Sequence, residues 1–444
     1  QGFGVGRVGD FVVFIEEALP GERIKGKLVS IKKDYAYAII QEIIKESPDR
    51  RAPFCPVFGL CGGCSLQHMS YESQLRNKTQ RVDDCMKRIG GFENVPVLPC
   101  IGMEDPFDYR NKVQLVVSGS GLGKKRNNRG LSAGFYARRT HQVVYTERCR
   151  IQPEIADQIK DTVLLYMKSN NISVYDETKH KGLVRHIMIR KSVNTDDIMV
   201  AIVATENNRS FMKGLTDILV SNFPDIKTVV LNLNDKVTNV ILGDECIHYY
   251  GDGTIEEKIN DLTFRISVLS FFQVNTVQMK VLYDKVKEFA ALTGDETVWD
   301  LYCGAGTIGL YLAHQAKKVI GIEAVPEAVE NARENALINK IDNAEFIVGK
   351  AEDKIEELVQ KAKDHIPDLV IVDPPRKGCH QRLLDALCEL KAPKLIYVSC
   401  NPSTLARDLQ HLTQHGQYEI QKVQPVDMFP WTEHVECVTL MSRL

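Results

Sequence analysis

Three regimes of hydrophobic and polar patterning succeed one another along the chain. Residues 1–50 alternate apolar and polar positions in short runs: Gly4-Val-Gly-Arg-Val-Gly-Asp-Phe-Val-Val-Phe14, Ile24-Lys-Gly-Lys-Leu-Val29 and Tyr35-Ala-Tyr-Ala-Ile-Ile40, with the turn Ala18-Leu-Pro-Gly-Glu22 between the first two. A period of two broken by Gly and Pro predicts a small, OB-like β-barrel. Ser47-Pro-Asp-Arg-Arg51 breaks the pattern and reads as a linker. In residues 51–265 a helical pattern over 71–89 puts Leu75, Val82, Met86 and Ile89 on one face. Strands are predicted at 113–117, 187–190, 198–203 and 229–233, and helices at 154–169 and 210–222, which together make an α+β domain with a mixed sheet. From 266 to 444 hydrophobic strands alternate with helices. Helices are predicted at 277–292, 308–316, 326–338 and 354–363 and strands at 297–301, 319–323 and 345–348; two further strands end at Asp373 and Ser399. A helix from Ser403 and a hairpin of 418–426 with 435–442 complete a doubly wound, Rossmann-like sheet with an antiparallel end.

A chain of 444 residues has room for three such domains. No apolar run reaches the roughly 18 residues that span a bilayer, so the expectation is a cytoplasmic protein without membrane contact, and a monomer. The chain begins at Gln1 rather than Met, and a trimmed N-terminus is expected. The net charge of −2 excludes a general polycation, but the charge is unevenly spread. Between 105 and 150 ten cations (Arg110, Lys112, Lys124, Lys125, Arg126, Arg129, Arg138, Arg139, Arg148, Arg150) face three acids (Asp105, Asp108, Glu147), and a second basic stretch runs from Lys179 to Lys191. Such asymmetry fits a phosphate-binding face; a solvated loop is the plainer reading of either stretch alone.

The chemistry lies mostly at predicted strand ends, where open α/β sheets bind ligands. Asp300-Leu-Tyr-Cys-Gly304-Ala-Gly306-Thr-Ile-Gly309 is a glycine turn between strand and helix, and Glu323 closes the next strand, where a carboxylate can hold ribose hydroxyls. A dinucleotide site has the same spacing. The acid at Asp300, poorly placed beside a pyrophosphate, favours S-adenosylmethionine over NAD. So do two later strand-end loops, Asp373-Pro-Pro-Arg-Lys-Gly378 and Ser399-Cys400-Asn-Pro402. Cys400 at a strand end before Asn-Pro suggests a nucleophile; a buried core thiol is the alternative. Glu436 opens an apolar strand and reads equally as a general base or a surface residue. Cys55-x5-Cys61-x2-Cys64, with Cys149 as the fourth ligand by context, is a metal-type spacing that does not decide between zinc and an iron–sulfur cluster. The other cysteines are isolated, which speaks against a disulfide framework.

Together these segments resemble the RNA uracil-5-methyltransferase family. The carriers, in the family's order, are Phe271-Phe-Gln273-Val-Asn275, the Asp300–Gly309 loop, Asp373–Gly378, Ser399-Cys-Asn-Pro-Ser-Thr-Leu-Ala-Arg-Asp408 and His434-Val-Glu-Cys-Val-Thr-Leu440. The resemblance covers nearly the whole chain. It implies a TRAM barrel for RNA binding at 1–50, a central domain at 51–265 holding a [4Fe-4S] cluster (zinc is the lesser alternative) on Cys55, Cys61, Cys64 and Cys149, and a methyltransferase domain at 266–444. It further implies Cys400 as nucleophile, Glu436 as base, and Gln273, Tyr302, Gly304, Gly306, Glu323 and Asp373 around S-adenosylmethionine and substrate. Bacterial transfer-RNA members lack the barrel and the cysteines, so the resemblance points to uridine in 23S ribosomal RNA, in the manner of Gram-positive enzymes. An NAD-dependent oxidoreductase leaves Cys400 and the basic stretches without roles. An RNA-binding metalloprotein with an inactive methyltransferase domain leaves Cys400 and Glu436 unexplained, and cytosine-5 methylation uses the same thiol chemistry.

Overall fold

The computed structural model describes residues 2–122, 130–355 and 366–444. Lys124, Lys125, Arg126 and Arg129 of the first basic stretch, and most of the predicted helix 354–363, lie outside the described residues.

At the N-terminus four strands, Phe3–Val8, Phe11–Glu16, Arg23–Ile31 and Tyr35–Lys45, form one sheet. Its edges are Phe3–Val8 and Arg23–Ile31, and among the described residues no ladder joins those edges.

The middle of the chain builds an eight-stranded sheet. Its order is Glu245–Tyr250, Ile226–Leu233, Ile198–Ala204, Val184–Lys191, Lys112–Ser118, Ser132–Tyr136, Val143–Tyr145 and Gly121–Leu122. One face packs on helices Glu154–Ser169 and Arg209–Asn222 through Val113, Leu115, Ile187, Ile189, Val200 and Ile202. The other face, through Met188, Met199, Ala201 and Val230, shares a core with the C-terminal part and with the hairpin Thr254–Ile259/Leu262–Ser267. Strands buried on both faces explain why 198–203 reads as an unbroken apolar run rather than an alternation.

The C-terminal part is a seven-stranded sheet in the order Ala344–Val348, Lys318–Glu323, Thr297–Leu301, Leu369–Val372, Lys394–Ser399, Glu436–Arg443, Tyr418–Val426. Numbered in chain order this is 3-2-1-4-5-7-6, with the seventh strand antiparallel to both neighbours. The dinucleotide-binding order 3-2-1-4-5-6 has no such insertion. Helices Thr276–Ala290, Thr307–Ala313 and Pro326–Ile338 cover one face. Gln381–Leu390 and Pro402–Gly416 cover the other, together with Tyr71–Arg88 from the middle of the chain.

Two devices tie the middle of the chain to this sheet. Residues 96–101 run parallel to the edge strand Tyr418–Val426 with Leu98 N to Val423 O at 2.9 Å, Val423 N to Pro96 O at 2.9 Å and Ile101 N to Pro425 O at 3.0 Å. Helix Tyr71–Arg88 sends the buried Lys78 to Asp427 (Nζ to Oδ1 2.5 Å) and Tyr71 Oη to Asp427 Oδ2 (2.8 Å). Asp427 lies just past the end of Tyr418–Val426, on the connection to the last strand.

Candidate active site

The strand order reverses between the parallel neighbours Thr297–Leu301 and Leu369–Val372, the switch point at which open α/β sheets leave a crevice beyond their carboxyl ends. Asp300, Tyr302, Glu323, Asp373 and Cys400 all come from the carboxyl ends of parallel strands or the residues just beyond. Glu436 joins them from the antiparallel strand: Ser399 pairs with Cys437, so the next residues, Cys400 and Glu436, meet at the same end of the sheet.

The glycine loop is shaped for a ligand. Tyr302 has φ of 65°, a left-handed conformation that costs a non-glycine residue. Gly306 has φ of 76°, and a Cβ there would stand 2.8 Å from the Phe346 ring. Glu323 accepts the N–H of Gly304 (3.1 Å) on one oxygen and that of Val325 (2.9 Å) on the other, which fixes the carboxylate and leaves a second lone pair on each. Asp300 is fully buried; its Oδ2 accepts the Gly309 N–H at 2.9 Å, while Oδ1 is buried with no partner among the described residues. An orphaned carboxylate oxygen beside a glycine turn suits a cofactor that brings its own donors and positive charge. S-adenosylmethionine fits that set.

The catalytic candidates share one electrostatic environment. Burial, then the charges of Glu436 and Asp373, push the Cys400 thiol up to about 11, and Arg376 opposes them. Glu436 is 3 % exposed, and burial followed by Asp373 pushes its carboxyl up to about 8. Asp373 is raised to about 7 by burial alone. Asp300 is raised to about 7 by burial, with Asp373 and Glu323 adding to the effect. The Asn-Pro signature has a mechanical role. Asn401 Oδ1 accepts the Ser403 N–H (3.2 Å) to cap the next helix, while its Nδ2 donates to Arg376 O (3.0 Å), joining the Cys400 loop to the Asp373–Gly378 loop. Gln273 enters from the loop before helix Thr276–Ala290, with its main-chain oxygen held by Asn111 Nδ2 at 2.8 Å. Sequence reading passed over Arg376, although its motif was noted, and Tyr283, which is buried within the field of Asp373, Asp300 and Glu436 and bonds Thr307 Oγ1 at 2.7 Å.

Comparison with known proteins is decisive. The family model described as tRNA (Uracil-5-)-methyltransferase matches residues 248–444. An uncharacterized RNA methyltransferase of Bacillus cereus is 45 % identical over 444 residues, all of this chain and 94 % of that protein. The chain belongs to the RNA uracil-5-methyltransferase family. A Clostridium acetobutylicum RNA methyltransferase is 44 % identical over 446 residues, again all of this chain and 95 % of that protein. The tRNA (uracil-54, C5)-methyltransferase of Pyrococcus abyssi, solved with S-adenosyl-L-homocysteine, has a TM-score of 0.76 at 30 % identity and covers 99 % of this chain and 100 % of its own. The chain is thus an S-adenosylmethionine-dependent RNA methyltransferase, with a Rossmann-like catalytic sheet in a multidomain protein. Among the described residues no helix is long and apolar enough to cross a membrane.

The four metal-type cysteines gather away from this crevice. Cys55, Cys61, Cys64 and Cys149 line one small cavity with Phe54, Phe58 and Phe135. Bonds involving backbone N–H groups hold three of them: Gly63 N donates to Cys61 Sγ at 3.4 Å, Cys55 N to Gln67 Oε1 at 3.1 Å, and Cys149 N to Asp157 Oδ2 at 3.0 Å. Among the described residues no three His, Cys, Asp or Glu side chains close around a point fit for a single ion. Beside the cysteines lies a groove of about 670 Å³ lined by Cys64, Arg110, Arg139, Thr432 and His434. Of the basic stretch, Arg138 pairs with Glu16 (3.2 Å), while Arg139 lies exposed over the Phe3 ring at 5.3 Å; the adjacent Tyr136 bonds Glu177 (2.7 Å).

Proposed function

We propose that the chain methylates C5 of a uridine in 23S ribosomal RNA through a covalent adduct between Cys400 and C6 of the uracil. The observation that carries the thiol chemistry is the strand register that brings Cys400 against Glu436, with Arg376 as the cation both feel. C5 of uracil is a poor nucleophile. Addition of the Cys400 sulfur, as the thiolate, to C6 forms a C–S bond and moves the ring electrons to C5 and O4, which makes C5 nucleophilic. The donor, when bound, supplies an electrophilic methyl group. Once C5 carries that methyl, Glu436 removes the C5 proton and the C–S bond breaks, restoring the ring and releasing the thiolate. Asp373 holds the uracil edge or the donor, and Gln273, Tyr302, Gly304, Gly306 and Glu323 hold the donor. A stacked uridine cannot reach Cys400, so the target is flipped or looped out.

On this reading residues 1–50 are a TRAM-type module and 51–265 a central domain, both contacting RNA around the catalytic domain 266–444. Cys55, Cys61, Cys64 and Cys149, which line one cavity, would hold a [4Fe-4S] cluster, with zinc the lesser alternative. The cluster would staple the segment and take no part in methyl transfer. Transfer RNA is the second reading, because the archaeal enzyme that shares the fold over the full chain is a tRNA (uracil-54, C5)-methyltransferase.

The test is a trap. 5-Fluorouridine cannot lose its C5 substituent as a proton, so the adduct accumulates. Incubation with S-adenosylmethionine and 5-fluorouridine-substituted 23S rRNA, or tRNA, should yield a denaturation-stable adduct with the natural protein and none with Cys400→Ala. Mapping the adduct names the uridine. Adduct on tRNA alone overturns the ribosomal reading, and adduct with Cys400→Ala overturns the thiol assignment.

A further inference from the structure

The face of the eight-stranded sheet turned toward the catalytic sheet carries two cations that no described side chain neutralises. Lys112 and Arg190 stand directly opposite each other on the antiparallel strands Lys112–Ser118 and Val184–Lys191. Their neighbours Val113 and Ile189 point into the helix-covered core, and Met188, two residues from Arg190, lies in the core shared with the catalytic part. Strand alternation therefore puts both cations on the catalytic side. Like charges facing each other across a ladder are destabilising, and more so when buried.

Arg190 is 1 % exposed. Its Nη2 donates to Ser270 O at 3.1 Å, while Nε and Nη1 are buried without a partner. Lys112 is partly buried, and among the described residues nothing accepts a bond from its Nζ. The acid whose field reaches Arg190 is Glu257, but it already accepts from Ser192 Oγ, the N–H groups of Val193 and Asn194, and Thr276 Oγ1, and it makes no ion pair with Arg190. Burial and the facing guanidinium push the Lys112 ammonium down to about 7. A deeply set guanidinium with two idle donors beside an unpaired ammonium is the donor set of an anion site.

The location says which anion. Lys112 belongs to the basic stretch 105–150 and Arg190 to the stretch 179–191, and the sheet brings the two together. Arg190 bonds Ser270 in the loop that carries Gln273, and Asn111, the chain neighbour of Lys112, bonds the Gln273 main-chain oxygen. We propose that Lys112 and Arg190 bind a phosphodiester of the substrate RNA close to the target nucleotide, so that docking of the strand also fixes the Ser270–Gln273 loop. The inference rests on the RNA-methyltransferase reading but on neither the identity of the RNA nor the thiol chemistry. The other anion within reach in principle is the carboxylate of the methyl donor.

Salt dependence separates these. Affinity for 23S rRNA and tRNA transcripts would be measured across salt concentrations for the natural protein, Lys112→Gln, Arg190→Gln and Arg190→Lys, with donor affinity measured by calorimetry. Lys112→Gln should weaken RNA binding several-fold at low salt, lower the slope of log K against log salt by about 1, and leave donor affinity unchanged. Arg190→Lys should keep the slope and lose affinity, because the charge survives without the fork. An unchanged slope with weakened donor binding would transfer the site to the carboxylate. Unchanged slope and donor affinity with a higher melting temperature would mark the two cations as a structural cost without a ligand. If Arg190→Gln does not fold, the partly exposed Lys112→Gln decides alone. If only tRNA binds, the ribosomal reading falls while the slope on tRNA still tests the site.

Discussion

Asp300, Asp373 and Glu436 converge on the crevice, and burial raises all three, to about 7, 7 and 8. Their values in an unfolded chain are near 4. A folded pKa above the unfolded one gives stability that is full below about pH 4 and is lost as pH rises through about 8. The free protein should therefore lose melting temperature between pH 4 and 8 from these groups. A positively charged sulfonium donor relieves the repulsion and lowers the pKa values. The rise in melting temperature on binding S-adenosylmethionine should accordingly be larger at pH 8 than at pH 6, and smaller for the uncharged sulfur of S-adenosylhomocysteine; equal rises at both pH values would remove the acids from the donor site. Asp373 and Glu323 were legible as strand-end carboxylates. The closeness of Glu436 to Cys400 came from the family resemblance and not from the pattern, because 36 residues separate them in sequence and the antiparallel register of the last strand unites them.

At the scale of elements, the junction between helix Tyr71–Arg88 and the connection at Asp427 rests on one buried ion pair supported by Tyr71 and by the Phe429 carbonyl, which Lys78 Nζ reaches at 3.1 Å. Removing one partner strands a charge at a site 0–2 % exposed, so Lys78→Met or Asp427→Ala should each cost about 3–5 kcal/mol of stability. The double variant Lys78→Met/Asp427→Leu should cost less than the sum. Denaturant unfolding of the three proteins checks this, and strict additivity would contradict the pairing. Sequence reading placed the helix within a residue of its ends; of the four residues it put on the apolar face, Leu75, Val82 and Met86 pack into the core, while Ile89, just past the helix end, is exposed. Lys78 was invisible, since a lysine on a helix reads as solvated until its partner, some 350 positions away, is known. Residues 96–101 escaped notice for another reason: Val95-Pro-Val-Leu-Pro-Cys100 carries prolines, which strands accept only at an edge, and an edge is where the segment lies.

For the whole molecule, the order of sheets and the Rossmann-like character of the last third were plain from the change of hydrophobic period, which reports burial on one face or two. How the parts lean on one another was not, because that depends on pairings between distant stretches. The four cysteines belong to this scale. Their cavity opens near the groove that leads to His434, so Cys61→Ala should impair RNA binding or folding before donor binding. Purified protein should be brown with absorption near 400 nm if iron–sulfur, and colourless if zinc. A Cys61→Ala protein that binds RNA normally and fails only in methyl transfer would overturn the structural role.

The segment laid by residues 96–101 along Tyr418–Val426 has an evolutionary reading as well. A catalytic sheet whose edge is covered by a segment from upstream loses that cover when it is cut out as a cassette at 266. Lineages that exchange RNA-recognition modules around this chemistry keep that cover only by cutting before Pro96, so the seams of recombination should fall closer to the N-terminus than the change in hydrophobic period at 266 would suggest.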